Sequence, residues 1–328
     1  FFSPSGYKAS LSYSLAERIY LPMDTKENVI SFINKINPNV AVFVKNDIWI
    51  NYLVELRKKG IPIYSISSKF HKSQFYFKIY GKWFLNKLKQ IDYFFVQDDA
   101  SKELLNYNNI NNVTVTGDTR IDRVKEIAKE DKQFNSIEMF INNDICFIAG
   151  SSWETDYTIF LKSIVERTNL KTIIAPHNIV ASEIRNLEKM TQSLSVRYSR
   201  IDRDLDPSKK ILIIDSVGSL KHLYKFADIA YVGGGMGNLG LHNILEAAVF
   251  GIPIIIGKNF KGFSEAEQLV KLGGVKSIDS QVEFEEIFNS LISNKTTKEA
   301  MGKINKEYIY SNSGGSEKII KALKKSLV

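Results

Sequence analysis

Apolar positions along the chain follow two rhythms that trade places. Short runs dense in Val, Ile and Phe, at Val40 to Val44, Ile61 to Ile66, Tyr93 to Val96 and Val113 to Thr116, predict strands. Between them, near 48–59, 74–90 and 99–107, apolar residues recur at helical spacing. The alternation restarts further on, with predicted strands at Ile145 to Ala149, Thr172 to Ala175, Ser195 to Tyr198, Ile211 to Ile214, Ile229 to Val232 and Pro253 to Ile256. From about residue 296 the pattern is helical, broken at Ser311-Asn312-Ser313-Gly314-Gly315. Near-continuous apolar strands, each followed by a helix, are what a parallel sheet needs, because its crossover helices cover both faces. The fold class is therefore α/β.

After Asp118-Thr119-Arg120, the charged stretch Lys125, Glu126, Lys129, Glu130, Asp131, Lys132 reads as a helix running into an interdomain connection. The expected organisation is a Rossmann-like domain over 1–128, a second over 129–305 and a helical tail over 306–328. A chain of 328 residues is comfortable for two such cores. It opens on Phe1-Phe2-Ser3-Pro4-Ser5-Gly6, which reads as a strand end running into a turn, so the first domain is expected to be incomplete at its N-terminus.

Composition adds few constraints. Hydrophobic residues at 44% and charged residues at 24% match an ordinary globular protein. No run approaches the roughly twenty apolar residues that span a bilayer, and the opening residues lack the pattern of a signal peptide. The single cysteine, Cys146, lies among Asp144, Ile145, Phe147, Ile148 and Ala149, so a buried core thiol is expected, as suits a reducing cytoplasm.

Charge is more informative. The net +8 suggests an acidic partner, and its distribution is uneven. Arg57 to Lys89 contains no Asp or Glu, while Arg57, Lys58, Lys59, Lys69, Lys72, Lys78, Lys82, Lys87 and Lys89 alternate with Phe70, Phe75, Tyr76, Phe77, Tyr80, Trp83 and Phe84. Basic residues among aromatics suit an anionic lipid surface. The same pattern also suits a solvated lysine face over an aromatic core stripe. No nucleic-acid-binding motif accompanies it, so no nucleic-acid partner is expected.

The densest chemical signal is Val232-Gly233-Gly234-Gly235-Met236-Gly237-Asn238-Leu239-Gly240-Leu241-His242-Asn243-Ile244-Leu245-Glu246, read as a strand, a glycine-rich turn and a helix. Glycines let backbone approach a ligand, and the N–H groups opening a helix favour phosphate. His242, Asn243 and Glu246 are expected in the helix's first turn, with Asn243 and Glu246 three apart on one face and Glu246 able to accept from a ribose diol. Two further loops end predicted strands: Gly150-Ser151-Ser152-Trp153, and Pro176-His177 with an imidazole for a phosphate. Asp215-Ser216-Val217-Gly218-Ser219 ends another, with Ser216 a plausible helix N-cap. Glu265 follows Lys258 and Lys261. Lys45-Asn46-Asp47 closes the strand Val40 to Val44, where Asp47 either contacts an acceptor or caps the next helix. The four His are scattered and no Cys and His cluster has metal-ligand spacing, so no metal is expected. No G-x-S-x-G, H-E-x-x-H or Walker pattern points to a hydrolase or kinase.

In order along the chain, these segments resemble the Kdo (3-deoxy-D-manno-octulosonic acid) transferases. The likeness is carried by Phe43-Val44-Lys45-Asn46-Asp47-Ile48-Trp49, Gly60-Ile61-Pro62, Phe95-Val96-Gln97, Val113 through Asp122, Ile148-Ala149-Gly150-Ser151-Ser152-Trp153, and Ala227-Asp228 through Glu246. It runs over nearly the whole chain and is nearest the form of Bacteroidetes-like bacteria, where Lys stands for an acid before Asn-Asp-Ile-Trp. The resemblance implies a GT-B architecture, two Rossmann-like domains facing a cleft. It further implies inverting, metal-independent and cofactor-free transfer of Kdo from CMP-Kdo to a lipid A precursor, at the cytoplasmic face of the bacterial inner membrane. Ser151, Ser152, His177, Gly234, Gly235, Asn243 and Glu246 would hold the donor nucleotide with Gly150 and His242, Glu265 would lie nearby, and Lys45 and Asp47 would lie on the acceptor side. The family's general base is a Glu in a Ser-x-Gly-Glu loop, which this sequence does not contain. The expectation is therefore a truncated piece whose base lies upstream; the competing readings are a GT-B enzyme using a UDP-sugar and a non-catalytic remnant that binds nucleotide or membrane.

Overall fold

The computed structural model describes residues 1, 7, 15–206 and 208–326. The expected strand end and turn at Phe1 to Gly6 falls mostly outside the described residues. The chain divides into two compact units, residues 1–119 with 314–328, and residues 120–313.

In the first unit, β1 (Ala41–Val44), β2 (Ile63–Ser68), β3 (Tyr93–Val96) and β4 (Val113–Val115) form one parallel sheet in that order. Helices Lys26–Ile36, Ile50–Lys58, Lys82–Leu88 and Asp99–Tyr107 pack against one face through Val29, Ile33, Leu53, Leu56, Leu88 and Leu105, meeting Ile63, Phe94, Val96 and Val113. Helix starts follow sequence signals: Thr25 and Asp98 accept from the backbone N–H groups of Asn28 and Ser101, as N-caps do.

Only part of the helix expected over 74–90 forms. Residues Phe75–Phe77 and Ile79–Gly81 are 3₁₀ turns, and the α-helix begins at Lys82. The reason lies at Gly81, where a Cβ would fall 2.0 Å from the Phe75 carbonyl oxygen, so the chain closes on itself at a spacing a regular helix cannot reach.

The second unit holds β5 (Ile145–Ser152), β6 (Leu170–Pro176), β7 (Ser195–Arg197), β8 (Ile211–Ile213), β9 (Ile229–Val232), β10 (Ile254–Gly257) and β11 (Val275–Ile278). All pairings are parallel, in the order β11-β10-β9-β5-β6-β8-β7. Alternate residues feed two cores. Ile148, Ile173, Leu212, Ala230, Ile254 and Ile256 face one way, and Phe147, Ala149, Ile174, Ile213, Tyr231 and Ile255 the other. That two-sided burial is why these strands read as unbroken apolar runs. β11 escaped the sequence pattern because it is an edge strand in which Lys276 is exposed and Ser277 only half-buried.

The unit boundaries differ from the expected 128/129 and 305/306. Helix Thr119–Lys129 buries Ile121 and Val124 in the core of the second unit, and helix Lys295–Ser311 buries Met301 and Ile309 there. The last helix, Gly315–Ser326, is no separate tail: Ile319 is buried against Tyr64 and Phe95 on the other face of the first sheet. Cys146 is a core thiol as expected, its pKa pushed up by burial.

Candidate functional site

Because β5 lies between β6 and β9 and all three run parallel, their carboxyl-terminal loops are neighbours, where open α/β sheets bind ligands. Backbone bonds lace the loops together. Gly233 N–H donates to Gly150 O at 2.9 Å, His177 N–H to Ser152 O at 2.9 Å, and His242 N–H to Gly233 O at 3.1 Å. Gly233 is there for space: a Cβ would sit 2.5 Å from Ser151 O and 2.6 Å from Ser152 Cα. Gly234 has φ +91°, a conformation that excludes most side chains. Gly235 lies against Gly257, whose backbone nitrogen would be 2.9 Å from an added Cβ.

One carboxylate ties this arrangement together. Asp156 is 0% exposed and accepts from Tyr231 Oη at 2.7 Å, Trp153 N at 2.8 Å and Gly234 N at 3.2 Å. Burial pushes its pKa up, while the three hydrogen bonds oppose that shift. It joins the β5 loop, β9 and the glycine loop through one buried group. Sequence reading missed it; the signal was its place three residues after Trp153, the N3 position of the helix Glu154–Val165, from which a carboxylate accepts from the N-cap N–H.

Three flat rings stack beside it. Trp153 and His177 lie 4.3 Å apart at 23°, and His177 and His242 lie 4.3 Å apart at 20°. Trp153 Nε1 donates to His242 Nε2 at 3.0 Å. An accepting Nε2 leaves the imidazole neutral with its proton on Nδ1, so His242 offers a hydrogen-bond donor without a positive charge. Burial, and then the neighbouring His177, hold its pKa down at about 4.

The other expected residues divide. Ser151 takes φ +51° where the register of β5 shifts near its carboxyl end, half-exposed. Ser152, 1% exposed, is turned inward, its hydroxyl 3.5 Å from Ala175 O, and is not offered to solvent. The expected strand–turn–helix is instead a long loop followed by a single helical turn, Leu245–Ala248, because the chain turns at Gly251 (φ +69°) to enter β10. His242 and Asn243 therefore precede the helix, and one turn carries too small a dipole to act as an anion site. The Asn243–Glu246 pairing holds: Asn243 Nδ2 donates to Glu246 Oε1 at 3.2 Å. Glu246 is half-buried, and its pKa is raised by burial against the pull of Asn243 and Lys221. Its charge reaches Tyr224, whose Oη would lie 1.9 Å from a Cβ on Gly150, so Gly150 and Glu246 share a neighbourhood.

Ser216 caps no helix. The next one begins at Leu220 after Ser219, and Ser216 Oγ is buried without a partner. Glu265, 7% exposed, is ion-paired with Arg120 at 3.0 Å, which engages its carboxylate within the protein. In the first unit, Lys45 (φ +57°) and Asp47 are both exposed at the end of β1. Asp47 does not cap the following helix, which starts after Trp49 with no side-chain cap. Asn46 between them is the anchored residue, accepting from Lys69 N at 3.0 Å and donating to Tyr76 Oη at 2.9 Å. A cavity of about 500 Å³ in the first unit, walled by Tyr64, Tyr93, Phe95, Thr114, Lys318 and Ala322, involves none of these residues. Among the described residues no group of three or more His, Cys, Asp or Glu could hold a metal ion.

Residues 1–123 match the family model described as 3-deoxy-D-manno-octulosonic-acid transferase. This part of the chain is similar to the Kdo transferases. The likeness continues beyond it, since the 3-deoxy-D-manno-octulosonic acid transferase of Haemophilus influenzae is 27% identical over 98% of this chain and 78% of its own length. The bifunctional glycosyltransferase/methyltransferase of Fusobacterium nucleatum is 27% identical over 78% of this chain, and the Kdo transferase of Chlamydophila psittaci 26% identical over 79%. The matched region spans 42% and 61% of those two proteins. Among solved structures, UDP-GlcNAc 2-epimerase from Neisseria meningitidis superposes with a TM-score of 0.65, covering 92% of this chain and 81% of that one at 19% identity. At that identity the likeness is one of fold, the GT-B type of two Rossmann-like domains.

Proposed function

We propose that the protein transfers Kdo from CMP-Kdo to a lipid A precursor in lipopolysaccharide biosynthesis, by inversion, without a metal, at the cytoplasmic face of the inner membrane. The observation that carries this reading is the loop cluster of the second unit, where Ser151, the Gly233–Gly235 backbone, His177 and neutral His242 meet at adjoining strand ends. Imidazole donors held in a ring stack suit the single phosphate that departs with CMP, because donors already in place stabilise developing charge without reorganising. Glu246, steadied by Asn243, is suited to accept from the two ribose hydroxyls. Attack on the anomeric carbon also needs a base for the acceptor hydroxyl, a role for the Ser-x-Gly-Glu loop of the family. Kdo-transferase relatives over nearly the whole chain support the choice of sugar.

Calorimetric titration with CMP, UMP and UDP tests the donor half. CMP is expected to bind best, and Glu246→Ala to weaken it by about 1.5–3 kcal/mol, the worth of charge-assisted hydrogen bonds. Preference for UDP, or unchanged CMP affinity in the variant, would remove the assignment. For the whole reaction, full-length protein is expected to release CMP from CMP-Kdo only when a lipid A precursor is supplied.

A further inference from the structure

Strand β4 is an edge of the first sheet, and two-residue alternation turns Thr114 and Thr116 to the same face as Tyr93 and Phe95 on β3 and Tyr64 on β2. The last helix, Gly315–Ser326, covers part of that face through Ile319. Between sheet and helix lies the cavity of about 500 Å³, with Lys318 and Ala322, one turn apart, as its helical wall. A space of that size is within the range that holds a small molecule.

The floor is aromatic. Phe95 meets Tyr64 at a centroid distance of 6.5 Å and an interplanar angle of 32°, and Tyr93 at 5.0 Å and 39°. Rings so little inclined to one another form a nearly flat surface. The polar groups in the wall are few, and those left to bind are donors. Thr116 is 4% exposed, and its Oγ1 is buried with no hydrogen-bond partner. Such a hydroxyl is destabilising unless something bound from outside accepts from it, and a valine would fill the place without that cost. The Tyr93 and Thr114 hydroxyls lie 2.7 Å apart, and sharing one proton leaves the other free to donate. Lys318 brings an ammonium group to the exposed rim. The carboxylate in the wall, Asp92, is taken up by Arg57 at 2.7 Å and by the Ile63 N–H at 2.8 Å.

We infer that this cavity binds a small planar carboxylate, whose ring system lies on the floor of Tyr64, Phe95 and Tyr93 while the Thr116 hydroxyl and the Lys318 ammonium hold its carboxylate. A rigid ring gains the stacking of an aromatic surface and has little conformational freedom to lose, whereas a flexible chain of the same size must freeze several torsions. A neutral ring would leave Lys318 without a counter-charge, and a bare anion would leave the floor uncovered. The site belongs to the first unit alone, shares no residue with the loops proposed to hold the donor, and is independent of which sugar is moved. A ligand seated there touches strands on one side and the helix on the other, and so fastens the last helix to the sheet.

Calorimetric titration of the full chain with 2-naphthoate, 2-naphthylmethanol and octanoate tests it. Wild type is expected to bind 2-naphthoate about tenfold or more tighter than either of the others, which lack the charge or the flat ring. Thr116→Val/Lys318→Gln is expected to weaken 2-naphthoate by on the order of 30-fold, as the loss of one neutral and one charged hydrogen bond does. Ala322→Trp, which fills the space from the helix side, is expected to abolish binding. With 2-naphthoate present, the thermal midpoint of wild type is expected to rise and amide exchange over residues 315–326 to slow, and both effects to vanish in Ala322→Trp. Midpoints without ligand show whether each variant folds, and should Ala322→Trp fail to, the Thr116/Lys318 variant carries the test. Wild type that does not bind 2-naphthoate would overturn the inference. So would full affinity in the Thr116/Lys318 variant, or exchange over 315–326 unchanged by bound ligand, since either places the ligand elsewhere. Octanoate bound as tightly as 2-naphthoate would overturn the planar ligand, and 2-naphthylmethanol bound as tightly would overturn the carboxylate.

Discussion

Asp156 offers the sharpest test of the site's construction. Truncating it in Asp156→Ala strands three donors: the Tyr231 hydroxyl in the core, and the N–H groups of Trp153 and Gly234. A buried donor left unmade costs about 1–3 kcal/mol. The longest of the three bonds is the weakest, and removing the carboxylate recovers part of its desolvation cost, so the expected loss is roughly 3–5 kcal/mol. Asp156→Asn should behave differently. Its amide oxygen, placed where Oδ2 now lies, accepts from both N–H groups, and its NH₂ faces a Tyr231 oxygen that can turn to accept, leaving only the phenol proton unmatched. The expected cost is about 1–2 kcal/mol. Urea unfolding of the second unit gives the stability, and amide exchange at Trp153 and Gly234 shows whether the two loops open together. CMP affinity should fall with the alanine variant and largely survive the asparagine one. Asp156→Ala within about 1 kcal/mol of wild type, or asparagine as damaging as alanine, would refute the reasoning.

Two further expectations concern the same loops. Gly233→Ala places a methyl against Ser151 O, Ser152 Cα and Asp156 Oδ2, none of which can withdraw, and is expected to cost about 1–3 kcal/mol or more, as overpacking does. Gly237→Ala, whose nearest neighbour would be Thr155 Oγ1 at 3.6 Å, is the control and should stay within about 1 kcal/mol by the same urea assay. For pH, the folded state holds His242 at about 4, below its ordinary 6.5, so between those values the unfolded chain binds the extra proton. The His242 contribution is thus present above about pH 6.5 and lost as pH falls towards 4. The stability difference between wild type and His242→Gln should shrink over that window, and a difference flat with pH would show that the imidazole is not held neutral.

What the sequence determined by itself was the alternation of buried strands and helices, hence the parallel α/β class, because two-sided burial writes itself as uninterrupted Val and Ile runs. It also marked the loops at Gly150, His177 and Gly233, since glycine and polar residues directly after such a run can only be a strand end. The nearness of Asn243 and Glu246 was legible as well, being a matter of local spacing. Tertiary structure decided the rest. The length of the helix after the glycine loop depended on where the chain had to turn into β10. The inward turn of Ser152, the pairing of Glu265 with Arg120 and the return of the last helix to Tyr64 and Phe95 each depended on residues far away in sequence. Asp156 and the ring stack of Trp153, His177 and His242 join segments up to 89 residues apart. Periodicity reports which side of an element is buried; it carries no information about which distant group completes a hydrogen bond there.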